Sequence, residues 1–304
     1  MALEANYCRV RLDPHPTDPD SANPASADPG ATLLCTRRSR LAHGGQQVCV
    51  GDWVAVDGID WVQARGAVAA IEPRTSLLLR PPLANADRVV VMVALARPAP
   101  EADALSRFLL AAEATGLEVL VLLSKADLVA PEVLAHWRQR LQGWGYETLG
   151  LSHDDPAAVA AVGRWLADGV SVLCGPSGVG KSSLLNALIP GLALRTAAVS
   201  GRLERGRHTT RHVELHDLGA AALLADTPGF NRPDLPGDPH HWPLLFPEIR
   251  RQVQAGATCR FRDCRHGDEP GCAIARDWER YGQYRDGLAV LSPPGPDRTG
   301  SGRR

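Results

Sequence analysis

Two runs in this chain have the residue types and spacing to do chemistry. The first is "GPSGVGKS", Gly175 to Ser182, which follows the apolar run "VSVLC" and leads into "SLLNALI". Glycines so placed let successive backbone N–H groups wrap an anion at a helix N-terminus, while Lys181 reaches phosphate oxygens and the Ser182 hydroxyl offers a ligand to Mg²⁺. The whole run Gly175, Pro176, Ser177, Gly178, Val179, Gly180, Lys181, Ser182 and Ser183 is thus a candidate nucleotide cradle. The second run is "CRFRDCRHGDEPGC", which spaces Cys259, Cys264, His266 and Cys272 as C-x4-C-x-H-x5-C. Three thiols and an imidazole this close make a closed tetrahedral set for one structural Zn²⁺, with no position left for substrate.

Other pieces take meaning from the first run. "LLADTPGF" places Asp226 at the end of an apolar strand, where it can hold Mg²⁺ through water, and puts the Gly229 N–H where it can sense a γ-phosphate. Between these lies "GRLERGRHTTRHVEL", polar and glycine-punctuated, in which Thr209 or Thr210 can close on Mg²⁺; Thr210 is the preferred ligand. Phe230 follows "DTPG" and cannot orient water, so intrinsic turnover should be slow, and His208 is the candidate to take that role. Upstream, "VLVLLSKADLV" ends a strand in Ser124, Lys125 and Asp127. An Asp carboxylate there can accept two hydrogen bonds from guanine N1–H and its 2-amino group, while the lysine stem covers the base. The usual first letter of such a loop is Asn, for which Ser124 offers only a hydroxyl. In "LGLSHDD", Ser152 with His153 could complete the base pocket.

These pieces need strands and helices to present them. From residue 83 to 235, fully apolar strands such as "VVVMVALA" alternate with amphipathic helices, which indicates a mostly parallel sheet covered on both faces. Residues 1–82 carry short β-like runs with turn signals, as in a small barrel, interrupted by the Pro- and Asp-rich insert 13–30. Residues 236–291 hold the Cys/His cluster and then a helical pattern, and 292–304 read as a disordered basic tail. The 304 residues are 44% hydrophobic and 22% charged with a formal net charge of -1, so bulk charge says nothing about nucleic acid. Of 33 basic residues only Lys125 and Lys181 are lysines, and both fall in the nucleotide motifs. Arginines crowd the Cys/His cluster (Arg250, Arg251, Arg260, Arg262, Arg265) and "CTRRSR" from Cys35 to Arg40, two patches suited to a phosphate backbone. No run is long enough to span a membrane, and seven cysteines without a secretory signal argue for a reducing cytoplasm. Cys8, Cys35, Cys49 and Cys174 read as small buried residues.

The rotated order of "SKAD", "GPSGVGKSS", "GRHTT" and "DTPGF", followed by the zinc spacing, resembles the RsgA (YjeQ) family of circularly permuted ribosome-assembly GTPases. "VGDWVAV", "IEPRTSLLLRP" and "NAD" look like that family's OB-fold and its junction with the GTPase. The resemblance implies a multi-domain α/β protein: an N-terminal OB-fold β-barrel, a permuted P-loop GTPase domain and a C-terminal zinc-binding helical domain. It further implies a monomer that binds GTP/GDP with Mg²⁺ and acts late in maturation of the small ribosomal subunit through its rRNA, with hydrolysis stimulated by that subunit. Ser124, Pro176 and the insert depart from the family pattern. Two other readings stay open from the residues: an ATPase with the same phosphate loop, and an RNA-binding zinc/OB module whose nucleotide site has decayed.

Overall fold

The structure, a computed structural model, describes residues 3–4, 7–12, 31–38, 47–79, 82–189, 191–192, 194, 213–219, 222–226 and 237–291. The insert 13–30 and the tail 292–304 lie outside these. The first strands are β1 (Leu3–Glu4), β2 (Tyr7–Arg11), β3 (Thr32–Arg37), β4 (Val54–Asp60) and β5 (Arg65–Ile71). They form a five-stranded sheet in the order β1-β2-β3-β5-β4, antiparallel except for the parallel β3·β5 pair. This is the five-stranded Greek-key arrangement of an OB-fold. Its core is Cys8, Val10, Leu33, Cys35, Val48 and Val68. Cys8, Cys35 and Cys174 are buried as expected, whereas Cys49 is only partly so.

Motifs that carry the resemblance prove to be struts. The buried Asp52 carboxylate of "VGDWVAV" accepts from the Cys49 N–H at 2.7 Å and from Arg74 of "IEPR" at 2.6 and 2.9 Å. The Asn85 side chain accepts from the Thr75 N–H and donates to the Gly51 carbonyl, both at 2.9 Å. A hairpin of β6 (Leu77–Leu79) and β7 (Pro82–Ala84) leads out of this region. Its Leu78 and Leu83 pack with Val50, Val172, Leu215 and Ala225. The 82/83 division expected from sequence therefore falls within a hairpin that already covers part of the next sheet.

That sheet contains β8 (Arg88–Ala94), β9 (Glu118–Ser124), β10 (Thr148–Leu151), β11 (Gly169–Cys174), β12 (Glu214–Gly219) and β13 (Ala222–Asp226), in the order β10-β9-β8-β11-β13-β12. All neighbours pair in parallel except β12, an antiparallel edge. The apolar run of β8 has the alternation that burial on two faces requires. Val89, Val91 and Val93 meet α1 (Ala102–Glu113) and α2 (Pro131–Trp144) through Leu105, Leu109, Trp137 and Leu141. Val90, Met92 and Ala94 meet α3 (Pro156–Trp165) and α4 (Lys181–Leu188) through Val162, Leu184 and Leu185.

The last unit holds α5 (Pro247–Gln254) and α6 (Tyr281–Leu291). Its Trp242, Phe246, Ile249, Tyr284 and Leu288 form one cluster with Leu110 of α1, so it is packed on the sheet domain. Within it Arg280 and Glu248, 3% and 4% exposed, form a bidentate pair at 2.7 and 2.6 Å. The Arg280 guanidinium lies 4.8 Å over Trp144 and 5.6 Å over Tyr146, while the Trp144 indole N–H donates to Glu279.

Candidate nucleotide site and metal centre

Strands β8, β9, β10, β11 and β13 run in one direction, so all five end at one edge of the sheet. Ligands of open α/β sheets bind at that edge. The phosphate loop starts there with Gly175 at φ 141°, where a Cβ would lie 2.3 Å from the Met92 carbonyl oxygen of β8. Only glycine fits so close a backbone crossing. The loop ends on Gly180 at φ 102°, which caps α4. Ser177 and Gly178 are exposed at its tip, Val179 is buried beneath it, and Ser182 and Ser183 sit in the first turn of α4.

Lys181 extends back over the loop, its ammonium donating to the Gly175 and Pro176 carbonyls at 2.8 and 2.9 Å. Burial lowers its pKa, opposed by the nearby Asp226 carboxylate, which thus stands across the loop at the end of β13. Ser182 and Asp226 together offer the hard oxygen donors that Mg²⁺ prefers. Thr209, Thr210, His208 and Gly229 lie outside the described residues.

Pro176 has a structural account. Its ring lines a cavity of about 180 Å³ with Val93, Pro98, Leu105, Phe108 and Val179, between the phosphate loop and α1. Sequence reasoning overlooked the segment Pro98–Pro100 that walls this cavity; its signal was a proline pair a few residues past the end of a parallel strand.

The base loop meets the phosphate loop through Ser124. Its hydroxyl, fully buried at the end of β9, lies 2.7 Å from the Val179 carbonyl and 3.1 Å from that of Val93. The expectation that Ser124 touches nucleotide needs correction on this geometry. The hydroxyl is enclosed and bonded to main chain, so it ties the two loops together and presents nothing to a base. Lys125 adopts a left-handed φ of 57° and donates to the Arg97 carbonyl at 2.6 Å. Both lysines of the chain therefore hold backbone carbonyls at this edge. Asp127 follows, exposed, in a 3-10 turn over Ala126–Leu128. After β10, Ser152 is half-buried, and the His153 ring lies against Gly180, where a Cβ would come within 2.6 Å of Nε2. Burial lowers the His153 pKa, against the opposing pull of Asp127.

Cys259, Cys264, His266 and Cys272 bring their ligand atoms within 4.8 Å of one another. The Cys259 sulfur lies 3.4 Å from His266 Nδ1 and 3.9 Å from the Cys272 sulfur, which is 3.7 Å from the same nitrogen. A tetrahedral ion with bonds of ~2.3 Å to sulfur and ~2.0 Å to nitrogen requires edges of about 3.5–3.8 Å, so these residues fit a metal ion. The Ala273 N–H donates to the Cys259 sulfur at 3.3 Å. The arginine patch around this centre divides. Arg250 pairs with Glu113 at 2.8 Å, and Arg251 donates to the Gly143 carbonyl at 2.5 Å. These two contacts fasten this unit to α1 and α2. Arg260 and Arg262 are exposed, and Arg260 stacks 5.4 Å over the exposed Phe261. No helix among the described residues is long and apolar enough to cross a membrane.

Residues 71–236 match the family model described as RsgA GTPase. A protein of Synechococcus sp. (strain CC9311), named small ribosomal subunit biogenesis GTPase RsgA, is 55% identical over 97% of this chain and 94% of its own length. A protein of the same name from Trichormus variabilis is 48% identical over 95% of this chain and 80% of its own. Among solved structures, YjeQ from Thermotoga maritima matches with a TM-score of 0.71 and 28% identity, covering 87% of this chain and 91% of that one. YloQ, a circularly permuted GTPase, matches at 0.71 and 23% identity over 96% and 98%. With base loop, phosphate loop and Asp226 arranged in that permuted order, the chain belongs to the RsgA GTPase family.

Proposed function

We propose that this GTP-hydrolysing enzyme acts in maturation of the small ribosomal subunit, as the names of its relatives state for them. The observation that carries the reading is the meeting of Asp127, Lys125, Lys181, Ser182 and Asp226 at one sheet edge, with Ser124 joining the base and phosphate loops. Asp127 selects guanine, and the Lys125 stem covers the base. Amides from Gly175 to Ser183 bind the phosphates, and Lys181 moves from its loop carbonyls to the β/γ oxygens. Ser182, Thr210 and Asp226 would hold Mg²⁺, which would supply charge neutralisation in the transition state. Water attacks in line, oriented by His208 when the subunit is bound, while Gly229 senses the γ-phosphate.

The Cys259, Cys264, His266 and Cys272 centre holds one structural Zn²⁺. We divide the chain into an RNA-binding OB unit (1–82), the GTPase (83–235) and the zinc unit (236–291), and read it as a cytoplasmic monomer. Exposed Arg260, Phe261 and Arg262 give the zinc unit a stacking and phosphate-binding surface for rRNA. The test is hydrolysis of GTP and ATP with and without purified small subunits. GTP hydrolysis rising on addition of subunits, with ATP inert, is expected; equal use of ATP, or no response to subunits, refutes the reading.

A further inference from the structure

We propose that the His153 imidazole is a base-binding group, donating to guanine N7 the hydrogen bond that an Asn side chain at position 124 would otherwise supply. The proposal rests on the guanine-site reading above. It begins with Ser124, which has one hydroxyl hydrogen, two main-chain carbonyls as acceptors and no exposed surface. The loop therefore keeps its tie to Val179 but has no side-chain donor left for the base at that position. His153 stands across the gap. Its ring rests on Gly180 of the phosphate loop and feels the charges of Asp127 and Lys125 on the base loop.

Both its ring nitrogens are buried with no hydrogen-bond partner among the described residues. Ring nitrogens enclosed and left this way are costly, and such a group calls for a partner. Burial keeps the ring neutral, so it carries one N–H donor and one acceptor nitrogen. Guanine offers N7 as an acceptor on the edge opposite the one Asp127 reads, so the two side chains do not compete. Rotation about the side-chain bonds carries the ring from Gly180 to the base. Adenine and hypoxanthine share N7, so His153 should raise affinity without setting the preference for guanine.

The test is calorimetric titration of the full zinc-loaded chain with GDP, 7-deaza-GDP, which lacks N7, and IDP, which lacks the 2-amino group. Wild type, His153→Ala, His153→Gln and Asp127→Asn are compared. His153→Ala should weaken GDP about tenfold, while His153→Gln, with an amide donor, should recover most of that. 7-deaza-GDP should bind wild type and His153→Ala alike, and the GDP/IDP ratio should be the same in both. The proposal is overturned if His153→Ala weakens all three nucleotides equally, which marks a structural role, or weakens none. If Asp127→Asn leaves the GDP/IDP ratio unchanged, the guanine site itself is misassigned and the proposal falls with it.

Discussion

Replacing Arg280 by Met should strip the buried Glu248 carboxylate of its partner and loosen the metal-bearing unit from the sheet domain. Both groups are almost fully enclosed, at 3% and 4% exposure, and the guanidinium forks onto both carboxylate oxygens. In water this pair would be worth under about 1 kcal/mol. Here the comparison is with an unpaired buried charge, which places the loss at about 3–5 kcal/mol for Arg280→Met or for Glu248→Leu alone. The double variant removes both charges and keeps apolar volume beside Trp144, Tyr146 and Phe246, so it should recover most of that loss. Urea titration of the metal-loaded protein, followed by tryptophan fluorescence, to which Trp144, Trp242 and Trp278 near the pair contribute, yields the cycle. A coupling energy of ~3 kcal/mol is expected. Single variants within about 1 kcal/mol of wild type that add without coupling would refute the reasoning, because the pair would then be hydrated.

Ser124→Ala should cost about 1–2 kcal/mol of stability by leaving a buried carbonyl short of a donor, and should raise the GDP dissociation rate as the two loops part. Thermal melts and stopped-flow release measure the two effects. Removing metal by chelation, or Cys272→Ala, should melt the C-terminal unit while residual GTP hydrolysis persists, read by circular dichroism beside phosphate release. His208→Ala should abolish the stimulation by small subunits and leave basal turnover unchanged; stimulated rates equal to wild type would reject the assignment. At Glu279, burial pushes the carboxyl pKa up, but Arg140 and the Trp144 indole N–H outweigh it and hold it below its usual range. Its stabilising contribution is thus present above the unfolded value of about 4.3 and lost as pH falls through the folded one. Glu279→Gln should therefore flatten stability against pH in that acid window, as followed by urea midpoints.

Local spacing made much of this site legible. The glycines at 175 and 180 mark positive-φ positions, and the four metal ligands lie within one short loop. The apolar run of β8 announced burial on two faces. What escaped depended on distant backbone. Ser124 looked like a weakened base contact because the carbonyls of Val93 and Val179 appear in no motif. At Arg250 and Arg251, charge clustering does not reveal the partners Glu113 and the Gly143 carbonyl. The packing of the β6–β7 hairpin escaped for the same reason: its partners Val172 and Leu215 lie far along the chain.

The strand order β10-β9-β8-β11-β13-β12 also bears on how the chain is made. β8 leaves the ribosome first and occupies the interior of the sheet. β9 can dock on one side of it, β10 on β9, and β11 then takes the free side of β8. The β12–β13 hairpin completes that flank. Apart from β12, which waits for β13 and joins with it as a pair, each new strand finds a finished edge waiting, and none must be inserted between two already paired. Growth outward from the centre lets synthesis and folding proceed together, and keeps the open edges of this sheet short-lived.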